Sequence, residues 1–337
     1  MSGAVDWRRA RDEALLVLEH SKKTEERIRA AEGLLGLADG FPDRWEELAP
    51  AIPRLIADRQ EELRRGGVRL AALLLHPDEA EGFLGARLTD PSPRVRMEAA
   101  GQLADLARPS SRGVLAAALN DASYAVRFEA ARGMAAVHHP AGLEVLVEAL
   151  DNNDLRFRAL GALGELADPR ALGPVRTVFA RWMMNPFERT QAAAVMARLG
   201  DSEGPRYLFE RSKPVRFRRA PDRAMAVELL GDLRLPGAQQ RLVELLETPG
   251  EPVRGAAARG YGRLSAPDAE ERLAKLADEQ GLPEDVLLDA LEGLCQVSLP
   301  RAQTVADQVS ARLSHIARTE LSKMLRDFAA HEEEQVG

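Results

Sequence analysis

The chain has 337 residues, 45% of them hydrophobic but only 4% aromatic, and a net charge of −7. That length suits one to three ordinary domains or one long stacked array, and the acidic balance excludes a molecule-wide basic footprint for nucleic acid. The single Cys295 excludes a disulfide framework and points to a reducing compartment, and no apolar run approaches the roughly 18 residues of a membrane span.

In chain order, residues 1–20 lack the apolar core of a signal peptide and predict a first outer helix with Trp7, Ala14, Leu15 and Leu18 turned inward. The stretch from Phe41 to Leu63 carries Pro50 and Pro53, which predicts a broken or kinked helix. The centre of the chain repeats itself. Val126-Arg127-x-x-Ala130-x-x-x-Met134-x-x-Val137 recurs 29 residues later as Leu155-Arg156-x-x-Ala159-x-x-x-Leu163-x-x-Leu166. Counting the Val or Leu as position 0, positions 0, 4, 8 and 11 share one helical face. His138-His139-Pro140 stops the first copy, and Leu143, Val145, Leu146 and Leu150 make a second short amphipathic helix.

Anchored on position 4, the register runs Ala30, Ala71, Ala99, Ala130, Ala159, Ala192, Ala226, Ala257 and Ala290. Position 8 is apolar or aromatic throughout, and position 11 is broken only by Asp78. A period of this length signals a stacked-repeat fold. Glycines inside the repeated helices, such as Gly133, Gly260 and Gly262, read as close-packing positions. After Pro300, residues 302–330 read as one or two capping helices with Val305, Val309, Leu313, Ile316, Leu321, Met324 and Leu325 inward. An acidic, frayed tail follows at 331–337.

Asp90-Pro-x-Pro-x-Val95-Arg96-x-x-Ala99-Ala100, the Asp121 to Ala131 unit and Pro252-Val253-Arg254-x-x-Ala257-Ala258 resemble HEAT repeats. Leu163-Gly-x-Leu-x-Asp-Pro-Arg170 is similar to the phycobilisome-lyase type of the repeat. The resemblance implies an all-α, right-handed solenoid of nine or ten helix pairs: one domain with irregular repeats over 1–78, regular ones over 79–299 and capping helices over 300–330. It further implies that the Val-Arg helices line a concave inner surface, and that the protein is a binding scaffold.

Several groups could carry chemistry. Arg27, Arg96, Arg127, Arg156, Arg189, Arg223 and Arg254 all stand at position 1. They could bind anions, but Asp90, Asp121 and Asp151 or Asp154 lie a short turn before the arginines, so bidentate pairs between stacked repeats are the better expectation. Of the six histidines only His331-Glu332 forms a His-Glu pair, so the iron hydroxylase chemistry of some proteins of this fold is not expected; His138-His139 reads as a turn pair, and no metal, cofactor or catalytic residue is assigned. No nucleophile elbow, phosphate loop or dinucleotide motif occurs. Residues 211–223 hold six cations; Arg216, Phe217, Arg218 and Arg219 there suit an acidic partner, with nucleic acid less favoured because Glu32, Glu228 and Glu292 face the inner surface.

Position 2 should face away from the packed face. It reads Met97, Phe128 and Phe157 in three successive repeats, where solvation would favour polar residues. An apolar strip usually marks an interaction site, and Glu129, Arg132, Arg158 and Glu98 would rim it. The expectation is a non-catalytic cytoplasmic protein that binds another protein or peptide on this strip, with a bilin-lyase-like enzyme or chaperone, or a nucleic-acid binder through the basic 211–223 loop, as alternatives. Partner identity, oligomeric state, and whether Phe128 and Phe157 are exposed or fold into the groove between adjacent inner helices are not legible.

Overall fold

The computed structural model describes residues 6–40, 44–214 and 221–336, with backbone alone from 331. Among these residues every regular element is helical and no strand occurs. Contacts divide the chain into two compact units, 1–171 and 172–337.

The first unit pairs α1 (Trp7–His20) with α2 (Thr24–Gly40), α3 (Trp45–Leu48) and α4 (Ala51–Ile56) with α5 (Glu61–Leu74), and α6 (Pro77–Arg87) with α7 (Pro93–Leu106). It continues with α8 (Arg112–Ala118) on α9 (Tyr124–Ala136) and α10 (Leu143–Ala149) on α11 (Arg156–Leu166). The second unit pairs α12 (Leu172–Phe179) with α13 (Pro186–Arg198), α14 (Glu203–Ser212) with α15 (Arg223–Asp232), and α16 (Ala238–Leu246) with α17 (Arg254–Leu264). It closes with α18 (Ala269–Asp278) on α19 (Glu284–Cys295) and α20 (Leu299–Val309) on α21 (His315–Val336). Within each unit the second helices of the pairs touch in succession and form an inner row. The ten described pairs agree with the nine or ten expected.

Local chemistry fixes each pair. In α7, Ser92 accepts from the Arg94 N–H at 3.2 Å, Pro93 opens the helix, and Ala107 at φ 49° ends it. The same left-handed residue recurs at position 12 of six inner helices: Ala107, His138, Ala167, Gly200, Arg234 and Ser265. Proline follows two residues later in five of them, at Pro109, Pro140, Pro169, Pro236 and Pro267. Turning the chain this way satisfies the last helix carbonyls and blocks continuation. As expected, Pro50 separates α3 from α4.

All nine register alanines are buried. The second of them nevertheless has a different place. Arg64, not residue 68, makes the position-1 contacts in α5, so Gly67 stands at position 4 and Ala71 at position 8. This one-turn slip explains Asp78: it lies in the first turn of α6 and was never part of an inner helix. At the C-terminus Leu321 is buried and Met324 and Leu325 pack against the core as expected, but Ile316 is 79% exposed and Ala317 takes its inward place. The backbone of α21 stays helical to Val336, where a frayed tail was expected.

The arginine column is a ladder. Arg96 grips Asp121 with Nε (2.7 Å) and Nη2 (2.9 Å), while its Nη1 donates to the Asp90 and Pro91 carbonyls at 2.9 and 3.3 Å. Arg64 does the same to Asp90, at 2.9 Å through both nitrogens, and to the carbonyls of Asp58 and Arg59. Arg27 meets Asp58, Arg223 meets Glu251, and Arg254 meets Glu279. The guanidinium groups of Arg64, Arg96, Arg223 and Arg254 therefore bond carbonyls that precede their own helix and pair with an acid that precedes the next inner helix. The Arg96 guanidinium holds the Asp121 carboxyl below the usual carboxylate range, although burial opposes it. The ladder changes at Asn152. It accepts from the Asp154 N–H at 2.9 Å, as Asp121 does from Ser123, but offers Arg127 no charge. The partners of Arg156 include the Leu150 carbonyl and the Asn153 amide oxygen.

Glycine sets the closest approaches. A Cβ on Gly231 would overlap the Gly260 carbonyl, and one on Gly262 would overlap that of Gly293. Gly231→Ala must push α15 from α17, so it is expected to cost about 3 kcal/mol or more in urea unfolding; a change within about 0.5 kcal/mol would show that the helices do not meet this closely.

Candidate functional site

The inner row of the first unit carries a depression of about 560 Å³. The end of α7 contributes Ala104, Asp105 and Ala107; α9 contributes Arg132, Ala136 and His138; α11 contributes Phe157, Arg158, Gly161, Ala162 and Glu165. Its small-residue floor follows from the repeat: alanine and glycine at helix crossings leave space that larger residues would fill.

Glu129 organises the charges. It is buried, and it accepts from Arg132 Nε at 2.8 Å and from Arg158 Nη2 at 2.8 Å. Arg132 also reaches Asp105 at 3.1 Å. A buried carboxylate requires such pairing, and two guanidinium groups on one acid are held in fixed places. The pKa of Arg132 is raised: burial, the largest single effect, works against it, and the charges and hydrogen bonds of Glu129 and Asp105 together outweigh it. Upstream, Glu98 binds Arg65 and Arg69 at 2.9–3.0 Å; burial pushes its carboxyl up, but the arginines leave it lowered.

The expected Met97–Phe128–Phe157 strip does not exist as an exposed surface. Phe128 is 1% exposed and belongs to the core, Met97 is half-buried, and Phe157, at 45%, is the one exposed member of the three. An inner helix has neighbours on both sides as well as its own outer helix. A ring at position 2 of α9 therefore lies within reach of α11, whose Arg158 guanidinium sits 5.1 Å from the Phe128 ring centre. Glu129 is likewise beneath the surface rather than on a rim. Phe157, Arg132 and Arg158 line one depression.

His138 and Glu165 were missed as site residues. His138 Nδ1 lies 2.9 Å from the Glu165 carbonyl, which can only accept, so Nδ1 donates. His139 Nδ1 accepts from the Ala141 N–H at 3.3 Å. The histidine pair is thus a turn element whose first member borders the depression. Arg216, Phe217, Arg218 and Arg219 lie outside the described residues. Among the described residues no group of three His, Cys, Asp or Glu is placed to hold a metal, and no helix is long and apolar enough to cross a membrane.

The second unit's inner row is charged instead. Glu228 pairs with Arg259 and Arg263, Arg259 also with Asp289, and Arg263 with Asp232 and Glu292. Burial pushes the Asp289 and Glu292 carboxyls up despite these arginines. A depression of about 590 Å³ at α16 and α18 is crossed by the Arg254–Glu279 and Arg272–Glu247 pairs.

This geometry defines a class: an all-α array of helix pairs joined by an inner arginine ladder. Residues 80–159 and 111–181 match the sequence pattern of HEAT repeats, so the stretch that forms the depression consists of HEAT repeats. No curated protein matches the sequence. Among solved structures, the karyopherin Kap121p bound to the SUMO protease Ulp1p is similar at 14% identity and a TM-score of 0.55, over 97% of this chain and 44% of that one. That likeness shows the fold. The complex of CpcE and CpcF of phycocyanin lyase from Nostoc sp. PCC7120 aligns at 18% identity, TM-score 0.42, over 82% and 93% of the two chains. Human deoxyhypusine hydroxylase aligns at 18%, TM-score 0.34, over 76% and 97%. Neither of these two bears on function.

The two rings separate packing from surface. Phe128→Ala should cost about 3 kcal/mol or more of unfolding free energy, because it opens a cavity, whereas Phe157→Ala should change it by less than about 1 kcal/mol. Equal losses in chemical denaturation would contradict the assignment.

Proposed function

We propose that the protein is a non-catalytic scaffold that holds a partner protein or peptide on the inner row of its first unit. The observation that carries this reading is Phe157: a half-exposed aromatic ring beside two arginines clamped on a buried glutamate. Aromatic and arginine side chains are the usual anchors of protein interfaces, and a preset constellation on packed helices loses little freedom on binding. Glu165 and Asp105 add acceptors around the apolar floor, so an amphipathic helix or extended peptide with one large apolar residue fits the shape. Kap121p, similar in fold, is bound to a protein in its solved complex; that is an analogy of fold and no more. Cytoplasmic location belongs to the same proposal.

Peptides selected from a random displayed library on the full chain provide the test. Phe157→Ala should weaken the selected binders about 30-fold, equal to roughly 2 kcal/mol, with Val114→Ala on α8 as the unaffected control. Selected peptides that bind the Phe157 variant as tightly as the parent would overturn the site.

A further inference from the structure

The turn between α12 and α13 breaks the pattern its counterparts keep. Leu88-Thr-Asp-Pro-Ser92 and Leu119-Asn-Asp-Ala-Ser123 are polar and centred on the aspartate of the ladder; here the chain runs Ala180-Arg-Trp-Met-Met-Asn185. Trp182 is 78% and Met183 92% exposed, and Phe187 in the first turn of α13 is also exposed. The backbone beneath them is tied down. Arg189 Nη2 donates to the Arg181 carbonyl and, at 3.3 Å, to that of Trp182, while Asn185 caps α13 by accepting from the Phe187 N–H at 2.9 Å. The indole and thioether are thus presented on a fixed turn. Beside them Phe179, Ala180, Trp182, Arg189, Glu203 and Tyr207 line a depression of about 470 Å³, in which the Phe179 and Tyr207 rings meet edge-on at 5.3 Å.

The surroundings have a sign. Residues 172–214 hold seven Lys and Arg against four Asp and Glu, in a chain whose net charge is −7, and five of its fifteen aromatic residues. The Arg176, Arg206 and Lys213 side chains are each more than half exposed and neutralise only the single acids Asp201, Glu203 and Glu210. Aromatics, Met and Arg are the residue types enriched at protein interfaces, and methionine adapts to varied apolar partners. Two protruding methionine and tryptophan side chains favour a protein partner over the stacked bases of a nucleic acid, which call for a row of aromatic faces.

We propose that the Trp182 turn is a second docking surface, one that takes an acidic segment of a partner protein bearing a large apolar residue. The apolar residue packs on Trp182, Met183 and Phe187, and its neighbouring carboxylates meet the cationic surroundings. The site shares no residue with the Phe157 depression and stands or falls separately from it.

The test titrates the full chain with three short synthetic peptides that share a Leu-Phe-Leu centre, flanked by Glu and Asp, by Lys and Arg, or by Ser and Gly. A thymidine oligonucleotide and phosphatidylserine-containing vesicles complete the set. The acidic peptide should bind at least about tenfold more tightly than the basic one. Trp182→Ser with Met183→Ser should weaken it about tenfold or more, at unchanged melting temperature, while Phe157→Ala leaves it unaffected. No preference for the acidic peptide, retention of its affinity by the double variant, or Trp182-dependent binding of the oligonucleotide or vesicles alone would overturn the proposal.

Discussion

The guanidinium of Arg96 does two things that the rest of the array depends on. One nitrogen caps carbonyls of the turn before its own helix, and two others grip Asp121 in the turn before the next. A planar, permanently charged fork can make both sets of bonds at once; an ammonium group cannot. The contact fixes the axial register of one inner helix on the next. Small residues then fix how closely they approach, as Gly231 and Gly260 show. Directional bonds at the turns and close packing between the helices are separable constraints.

This arrangement leaves little of an inner helix free. Its own outer helix covers one face and the neighbouring inner helices cover two more. Phe128 and Phe157 occupy the same position of adjacent repeats, yet one lies in the core beside Arg158 and the other borders a depression. The buried Glu129 joins those outcomes, since the arginine that reaches over Phe128 is held by the same carboxylate that holds Arg132. The site is thus an outgrowth of the packing scheme. It uses the repeat's own ion pairs, supplemented by a ring that the packing does not absorb.

Much of the fold was legible because its determinants are local. Alanine at position 4, the Val-Arg pair before it and the proline at position 14 each report a backbone or packing need within one helix turn. The slip in α5 was not legible, since Gly67 does the work of alanine and Ala71 offered a decoy four residues on. The fate of Phe128 was hidden for a different reason. Periodicity gives a direction around one helix but not the reach of a side chain from the next, and Arg158 comes from 30 residues later. Trp182 and Met183 could have been found from sequence, because their turn lacks the acidic residue that the matching turns contain.

A double-mutant cycle on Arg96 and Asp121 tests the ladder most directly. Arg96→Ala, Asp121→Ala and the pair would be compared in chemical denaturation, beside the same cycle on Arg9 and Glu13, a pair on a single helix with both side chains mostly exposed. If the ladder ties repeats together, Arg96 and Asp121 should couple by about 1 kcal/mol or more while the exposed pair shows no measurable coupling. Coupling as weak as that of the exposed pair would mean that the arginines merely decorate an array held by its small residues.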